Sequence, residues 1–187
     1  SLIESFPQGG YWFMRCADAW VGIRAGVVSH HGAHAHCDQL SFVLAVGEDD
    51  FIIDPGTGTY SADVGKRNAY RGSAAHNAPR LNDLEANRFP PGKAGLFRMT
   101  DDTRTEVLTW EVAPEAVRFT GRHHGYGRVR AGCLCERSLI LGPATLTVTD
   151  RISPLLPGDR ISWSFRLAPE VALEPAPGGA IATINDQ

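Results

Sequence analysis

Apolar and polar residues alternate along most of this chain with a period of two, the pattern of strands with one buried face. "YWFMRC" (11–16) and "AWVGIRAGVV" (19–28) are rich in aromatic and β-branched residues, with glycine-containing breaks around them. From His34 the even positions read His34, His36, Asp38, Leu40, Phe42, Leu44 and Val46, one face that begins in polar chemistry and ends in core. "DFIID" (50–54) predicts a short strand, turned back on its predecessor by "GEDD" (47–50) and closed by "DPGTGT". Further strands are expected in "GLFRMT" (95–100), "RTEVLTWEV" (104–112), "GRVRAGCLCERSLIL" (127–141), "ATLTVTDRI" (144–152) and "RISWSFRLAPEVAL" (160–173). No segment of helical length carries a 3.6-residue stripe, and 20 glycines with 12 prolines supply the turns. Closely spaced strands without helices predict an all-β fold, a large antiparallel β-sandwich with little or no helix. There is no internal repeat and no low-complexity linker, so residues 1–187 read as one domain.

Composition narrows the function classes without naming one. A length of 187 residues allows a sizeable core, and 43% hydrophobic residues with a net charge of -3 are ordinary for a globular protein. No apolar run is long enough to span a membrane, and no signal peptide is visible within these residues, as is also expected of a processed or cloned fragment. Sixteen of the 18 basic residues are arginines, a composition that suits carboxylates and sulfates but also follows from codon bias. The balance is not basic enough to indicate nucleic acid. Cys16, Cys37, Cys133 and Cys135 form no C-x-x-C pattern, and Cys133 and Cys135 point the same way from one strand, so small buried hydrophobes are expected. The closing "AIATINDQ" stops just after a strand-like run, which reads as a fragment.

The densest chemistry lies in "HHGAHAHCDQLSF" (30–42), which holds four of the seven histidines. His34 and His36 are two apart, a spacing at which two imidazoles on a strand approach one site. Asp54 ends the strand expected alongside, and His76 lies in "SAAHNAP". Two imidazoles with a carboxylate are the usual company of zinc with an open fourth position, and they disfavour calcium or magnesium. Asp38 or Gln39 could hold a ring N–H and orient it. A polar turn or a structural histidine pair is the plainer alternative. His30 and His31 are expected in a surface loop.

The run "HAHCDQLSFVLAV…FIIDPGTGTY…RNAYRGSAAHNAPRLND" closely resembles the C-terminal domain of heparinase II/III-like polysaccharide lyases. Weaker similarity continues in "HHGYGRV" (123–129), "CERSLIL" (135–141), "VTDRI" (148–152) and "SFRLAP" (164–169). The resemblance implies a large β-sandwich and assigns the residues singly. His34 matches the histidine that faces the substrate cleft, while His36, Asp54 and His76 match the protein ligands of a zinc that shapes the site. The chemistry implied is β-elimination in an acidic, uronic-acid polysaccharide. A proton leaves C5, the C4–O4 bond breaks, and histidine or tyrosine serves as base or acid. Such enzymes are secreted or periplasmic.

The family places an α/α toroid before this sandwich, and that toroid supplies the group that neutralises the carboxylate and a catalytic tyrosine. It is missing from these 187 residues, so the chain alone is expected to be inactive. Tyr60 is a possible local tyrosine or a packed turn aromatic, and Arg71 and Asn77 could support the cleft or the His76 loop. "HAHCDQ" also has a superficial likeness to the His-x-His-x-Asp-His of metallo-β-lactamase-like hydrolases. Gln39 stands where that motif needs histidine, and the required βα alternation is absent. The remaining rival is a non-catalytic, zinc-stabilised sandwich that binds or packs against polysaccharide machinery.

Overall fold

The computed structural model describes residues 3–28 and 30–184, without the side chains of His30 and Ala94. The His30 side chain and the last three residues of "AIATINDQ" lie outside that description. Five strands follow one another across the first sheet: β1 (Glu4–Phe6), β2 (Tyr11–Cys16), β3 (Ala19–Arg24), β4 (Ser41–Val46) and β5 (Asp49–Ile52). Each pairs antiparallel with its neighbour. After the short β6 (Pro79–Leu81), a second sheet runs through β7 (Glu106–Val112), β8 (Val117–His123), β9 (Leu134–Leu141) and β10 (Leu146–Ser153), again antiparallel. β11 (Ile161–Trp163) returns to pair with β6, and β12 (Val171–Ala176) with β13 (Gly179–Ile184) forms a hairpin.

Alternation explains how the layers meet. Trp12 and Met14 on β2 and Val21 and Ile23 on β3 are buried, as are Val117 and Phe119 on β8 and Leu139 and Leu141 on β9. These residues share one core, and the Trp12 and Phe119 rings meet at 5.8 Å between centroids. Burying a side chain such as Phe119 stabilises the fold by about 1.5–3 kcal/mol relative to leaving it exposed. The antiparallel sandwich expected from the sequence is therefore the fold.

One polar residue breaks the apolar inner face of β9. Arg137 is fully buried, and it donates Nε to Asp150 Oδ1 at 2.7 Å and Nη2 to Asp150 Oδ2 at 2.8 Å. Its remaining nitrogen, Nη1, donates to the carbonyls of Leu40 and Asn77. A buried guanidinium without such partners would cost several kcal/mol. Here it ties the second sheet to the two loops that carry His36 and His76.

Several expectations need correction. Residues 127–133, expected in a strand, are a 3-10 turn and loop, so that β9 begins only at Leu134, and β8 was not expected. A helix does occur: α1 (Val64–Arg71), capped by the Asp63 carboxylate, which accepts from the Lys66 amide at 2.9 Å. Its buried residues are Arg67 and Arg71, so no apolar stripe announces it. "GLFRMT" is largely a 3-10 turn (Lys93–Phe97) rather than a strand. Arg67 and Arg71 donate to the Gly95, Leu96 and Arg98 carbonyls that a strand would offer its neighbour. Residues 34–40 are likewise loop, and β4 begins only at Ser41. Leu40 has φ 65°, in the left-handed region, which ends the alternation. Its buried side chain, its amide bond to the Arg24 carbonyl at 2.7 Å and the Arg137 contact hold that conformation.

Candidate metal centre

Three connections bring the metal candidates together. His36 lies in the loop before β4, where the Cys37 amide donates to the Arg71 carbonyl at 2.8 Å. Asp54 follows β5 in a turn in which its Oδ1 accepts from the Gly56 amide at 2.9 Å. The turn needs glycine at Gly58, where φ is +67° and a Cβ would stand 2.7 Å from the Tyr70 ring. His76 follows the 3-10 turn Ser73–Ala75. Asn77 locks that loop to the sheet: its Nδ2 donates to the Phe42 and Ile53 carbonyls, and its Oδ1 accepts from the Arg166 amide.

His36, Asp54 and His76 each offer a ligand atom, and these atoms lie within 4.8 Å of one another. His76 is fully buried, His36 is half-buried, and the Asp54 side chain is 38% exposed. His76 Nδ1 and Asp54 Oδ2 are 2.6 Å apart, while His76 Nε2 is buried without a hydrogen-bond partner. A bare buried ring nitrogen costs on the order of 1–3 kcal/mol unless a cation or donor satisfies it. Burial, and then the neighbouring His76, push the His36 imidazole down to about 4, so it is neutral and has a free lone pair near pH 7. Burial pushes the Asp54 carboxyl up, but the His76 hydrogen bond and charge and the Gly56 amide outweigh it and leave it below the ordinary carboxylate value. Two neutral-capable imidazoles and an ionised carboxylate fit a divalent transition metal.

His34 stands apart from this triad. It is exposed, and its ring meets the edges of Tyr60 at 5.9 Å and Phe97 at 6.5 Å. The alternation that put His34 and His36 on one face does not apply to this loop. Arg67, buried on α1, lies over both aromatic rings at 5.0 and 4.6 Å and donates to the carbonyls of Ala33, Thr59 and Leu96. It therefore binds the His34 loop, the Tyr60 turn and the Phe97 turn together. Arg67 and Phe97 escaped the sequence reading. The i, i+4 pair Arg67 and Arg71 behind a capping Asp63 was the available signal.

The supporting residues divide. Arg71 makes four side-chain hydrogen bonds, to Asn68 and to the carbonyls of 95, 96 and 98, and so braces the 95–98 segment. Among the described residues Asp38 and Gln39 hold no imidazole N–H, contrary to expectation. Asp38 pairs with Arg24 at 3.9 Å, and burial pushes its carboxyl up despite that arginine. Gln39 donates to the His36 carbonyl at 3.4 Å and accepts from Asn87 at 2.9 Å, bracing the backbone of the ligand loop. The ring contact falls instead to Asp54. Beside the triad opens a cavity of about 310 Å³ whose lining includes Tyr11, Phe13, Trp20, Arg24, Asp38 and Asp54. Among the described residues all four cysteines are free thiols, and Cys37, Cys133 and Cys135 are buried.

The family model described as heparinase II/III-like, C-terminal, matches residues 1–187. The chain belongs to this family. The heparinase-like fold is similar to that of solved lyases. A heparinase III structure aligns at TM-score 0.66 with 19% identity, over 89% of this chain and 25% of that one. The heparan sulfate lyase HepC from Pedobacter heparinus aligns at TM-score 0.59 with 19% identity, over 78% of this chain and 21% of that one. A second heparinase III gives TM-score 0.63 with 15% identity, over 80% and 22%. At these identities the likeness shows the fold, and this heparinase-like chain spans about a quarter or less of the length of those structures. A comparison with curated proteins finds no match.

Proposed function

We propose that this heparinase-like domain is the metal-holding part of a polysaccharide lyase that cleaves uronic-acid polysaccharides by β-elimination. The observation that carries the proposal is the convergence of His36, Asp54 and His76, drawn from three separate loops, in a chain of this family. These three would hold zinc, which supplies charge that shapes the site and keeps its loops in place. The residues' own tasks are distinct. His36 stays neutral, Asp54 stays ionised, and the Asn77 and Arg137 bonds keep their loops in register. His34, exposed and outside the triad, is the proton-transfer or hydrogen-bonding group at the substrate, with Tyr60 beside it.

Elimination also requires neutralisation of the uronate carboxylate and an acid for O4. In this reading another domain, the toroid of the family, contributes both, and the parent enzyme is secreted or periplasmic. Residues 1–187 alone should then release little unsaturated product from any uronic-acid polymer. Loss of those groups removes transition-state stabilisation worth several kcal/mol. Absorbance of the unsaturated product, assayed on heparan-type, alginate and chondroitin chains, checks this. Robust turnover by the 187 residues would show that the catalytic groups lie elsewhere. A second reading, a zinc-stabilised carbohydrate-binding module without chemistry, is favoured by one observation: among the described residues, no hydrogen bond or ion pair orients the His34 ring.

A further inference from the structure

A second polar cavity, of about 470 Å³, lies among Arg88, Asp102, Arg104, Glu106, His124 and Arg128 and shares no residue with the triad. It sits between the 87–88 and 101–104 loops, the start of β7 and the end of β8. Its walls are fixed by short bonds. Asn87 Oδ1 accepts from the amides of Asp102 and Thr103 at 2.9 Å, and the His124 amide donates to the Thr103 carbonyl at 2.6 Å. Gly125 permits the closure, since a Cβ there would stand 2.4 Å from the Ala86 carbonyl oxygen.

The charges do not balance. Asp102 is taken by Arg88, which donates to both of its oxygens at 2.6–3.2 Å. Glu106 is taken by Arg122 at 2.8 Å and by His124 at 2.8 Å. Two guanidiniums remain without a carboxylate among the described residues. Arg128 donates only to the carbonyls of Glu85, Ala86 and Gly125. The exposed Arg104 side chain makes neither a hydrogen bond nor an ion pair among the described residues. Its backbone is held at φ 43°, and its amide donates to Asp101 Oδ1 at 3.1 Å. A non-glycine residue in the left-handed region is costly and persists where the surroundings enforce it. Three guanidiniums, Arg88, Arg104 and Arg128, line the cavity with two committed carboxylates, which leaves a concave site with surplus positive charge and unused fork-shaped donors.

We infer that this cavity is an anion subsite for a sulfate or carboxylate group of an acidic polysaccharide, with Arg104 as its principal donor. The class of ligand rests on the lyase reading above, and the site itself does not. The "HHGYGR" motif (123–128), which the metal centre leaves unused, would then serve to build it: His124 and Gly127 line the wall, and Arg128 adds charge.

The test is binding of heparin oligosaccharides, and of an unsulfated uronic-acid oligosaccharide, to the protein across a salt series, comparing Arg104→Ala, Arg104→Lys and His36→Ala. Arg104→Ala should weaken binding by about 3- to 10-fold and flatten the salt dependence, as expected for loss of one charge-assisted contact. Arg104→Lys should recover part of the loss, and His36→Ala should leave the Arg104 effect intact. An effect seen with heparin alone assigns the site to sulfate, and one seen with both probes assigns it to a carboxylate. If Arg104→Ala binds like the native protein, or neither probe binds, the subsite is overturned. If binding disappears in His36→Ala and is unchanged in Arg104→Ala, the polysaccharide sits at the metal centre, which contradicts this inference and leaves the lyase reading standing.

Discussion

His34 and His36 are separated by one alanine, yet they occupy different surroundings, and mutation should separate their roles. His36 is half-buried, kept neutral by its burial, and packed 5.2 Å from the His76 ring. His36→Ala should lose bound zinc and lower the melting temperature together, because a ligand held only by the folded state stabilises it by linkage. His34 is exposed against Tyr60 and Phe97 and supports no core. His34→Ala should keep zinc and melting temperature near native values. In a complete lyase carrying this domain it should reduce turnover by about 10²–10⁴-fold, the range for a positioned acid or base. Zinc content and turnover measured on both variants check the pair. Zinc lost in His34→Ala and kept in His36→Ala would exchange their roles.

At the scale of elements, the loops matter more than the strands, and single residues hold them. Asn77 is fully buried and joins the His76 loop to the ends of β4 and β5 through two donated bonds and to Arg166 through an accepted one. Asn77→Ala would strand the Phe42 and Ile53 carbonyls and the Arg166 amide. It should therefore lower unfolding free energy by about 2–4 kcal/mol, measured by denaturant titration. A loss within experimental error would show that the strands, not Asn77, hold His76 in place. What was legible in the sequence follows the same division. Period-two alternation marked β2, β9 and β10 because each buries one face, but β8, which alternates as regularly, was passed over, and the candidate metal residues stood out because their chemistry is scarce. α1 was hidden because its buried face is Arg67 and Arg71. The 34–40 loop passed for strand because its alternation is accidental and nothing in the residue pattern records its local turn bonds, such as the Ala35 amide to the Gly32 carbonyl and the Ser41 amide to the Asp38 carbonyl. Asn77 and Arg137 were invisible as braces, since their partners are backbone atoms that no side-chain pattern records.

At the scale of the whole molecule, two histidines are held neutral, and acid should act through both. Burial, then His124 and nearby arginines, push His123 down to about 3, and His36 stands at about 4 against an ordinary value of 6.5. Below about 6.5 the unfolded chain takes up protons that the folded one refuses, so unfolding free energy should fall as pH drops through the window from about 6.5 towards 3–4. Denaturant midpoints measured across that window with a chelator present separate this effect from proton competition for metal. A flat profile would mean that neither imidazole is buried as described. The central claim, that the fold exists in part to assemble His36, Asp54 and His76 around zinc, is tested most directly by elemental analysis. Native protein purified without added metal is compared with His76→Ala. About one zinc per chain is expected in the native protein and almost none in the variant, as for a site with three protein ligands. Negligible zinc in both, or equal zinc in both, would contradict it.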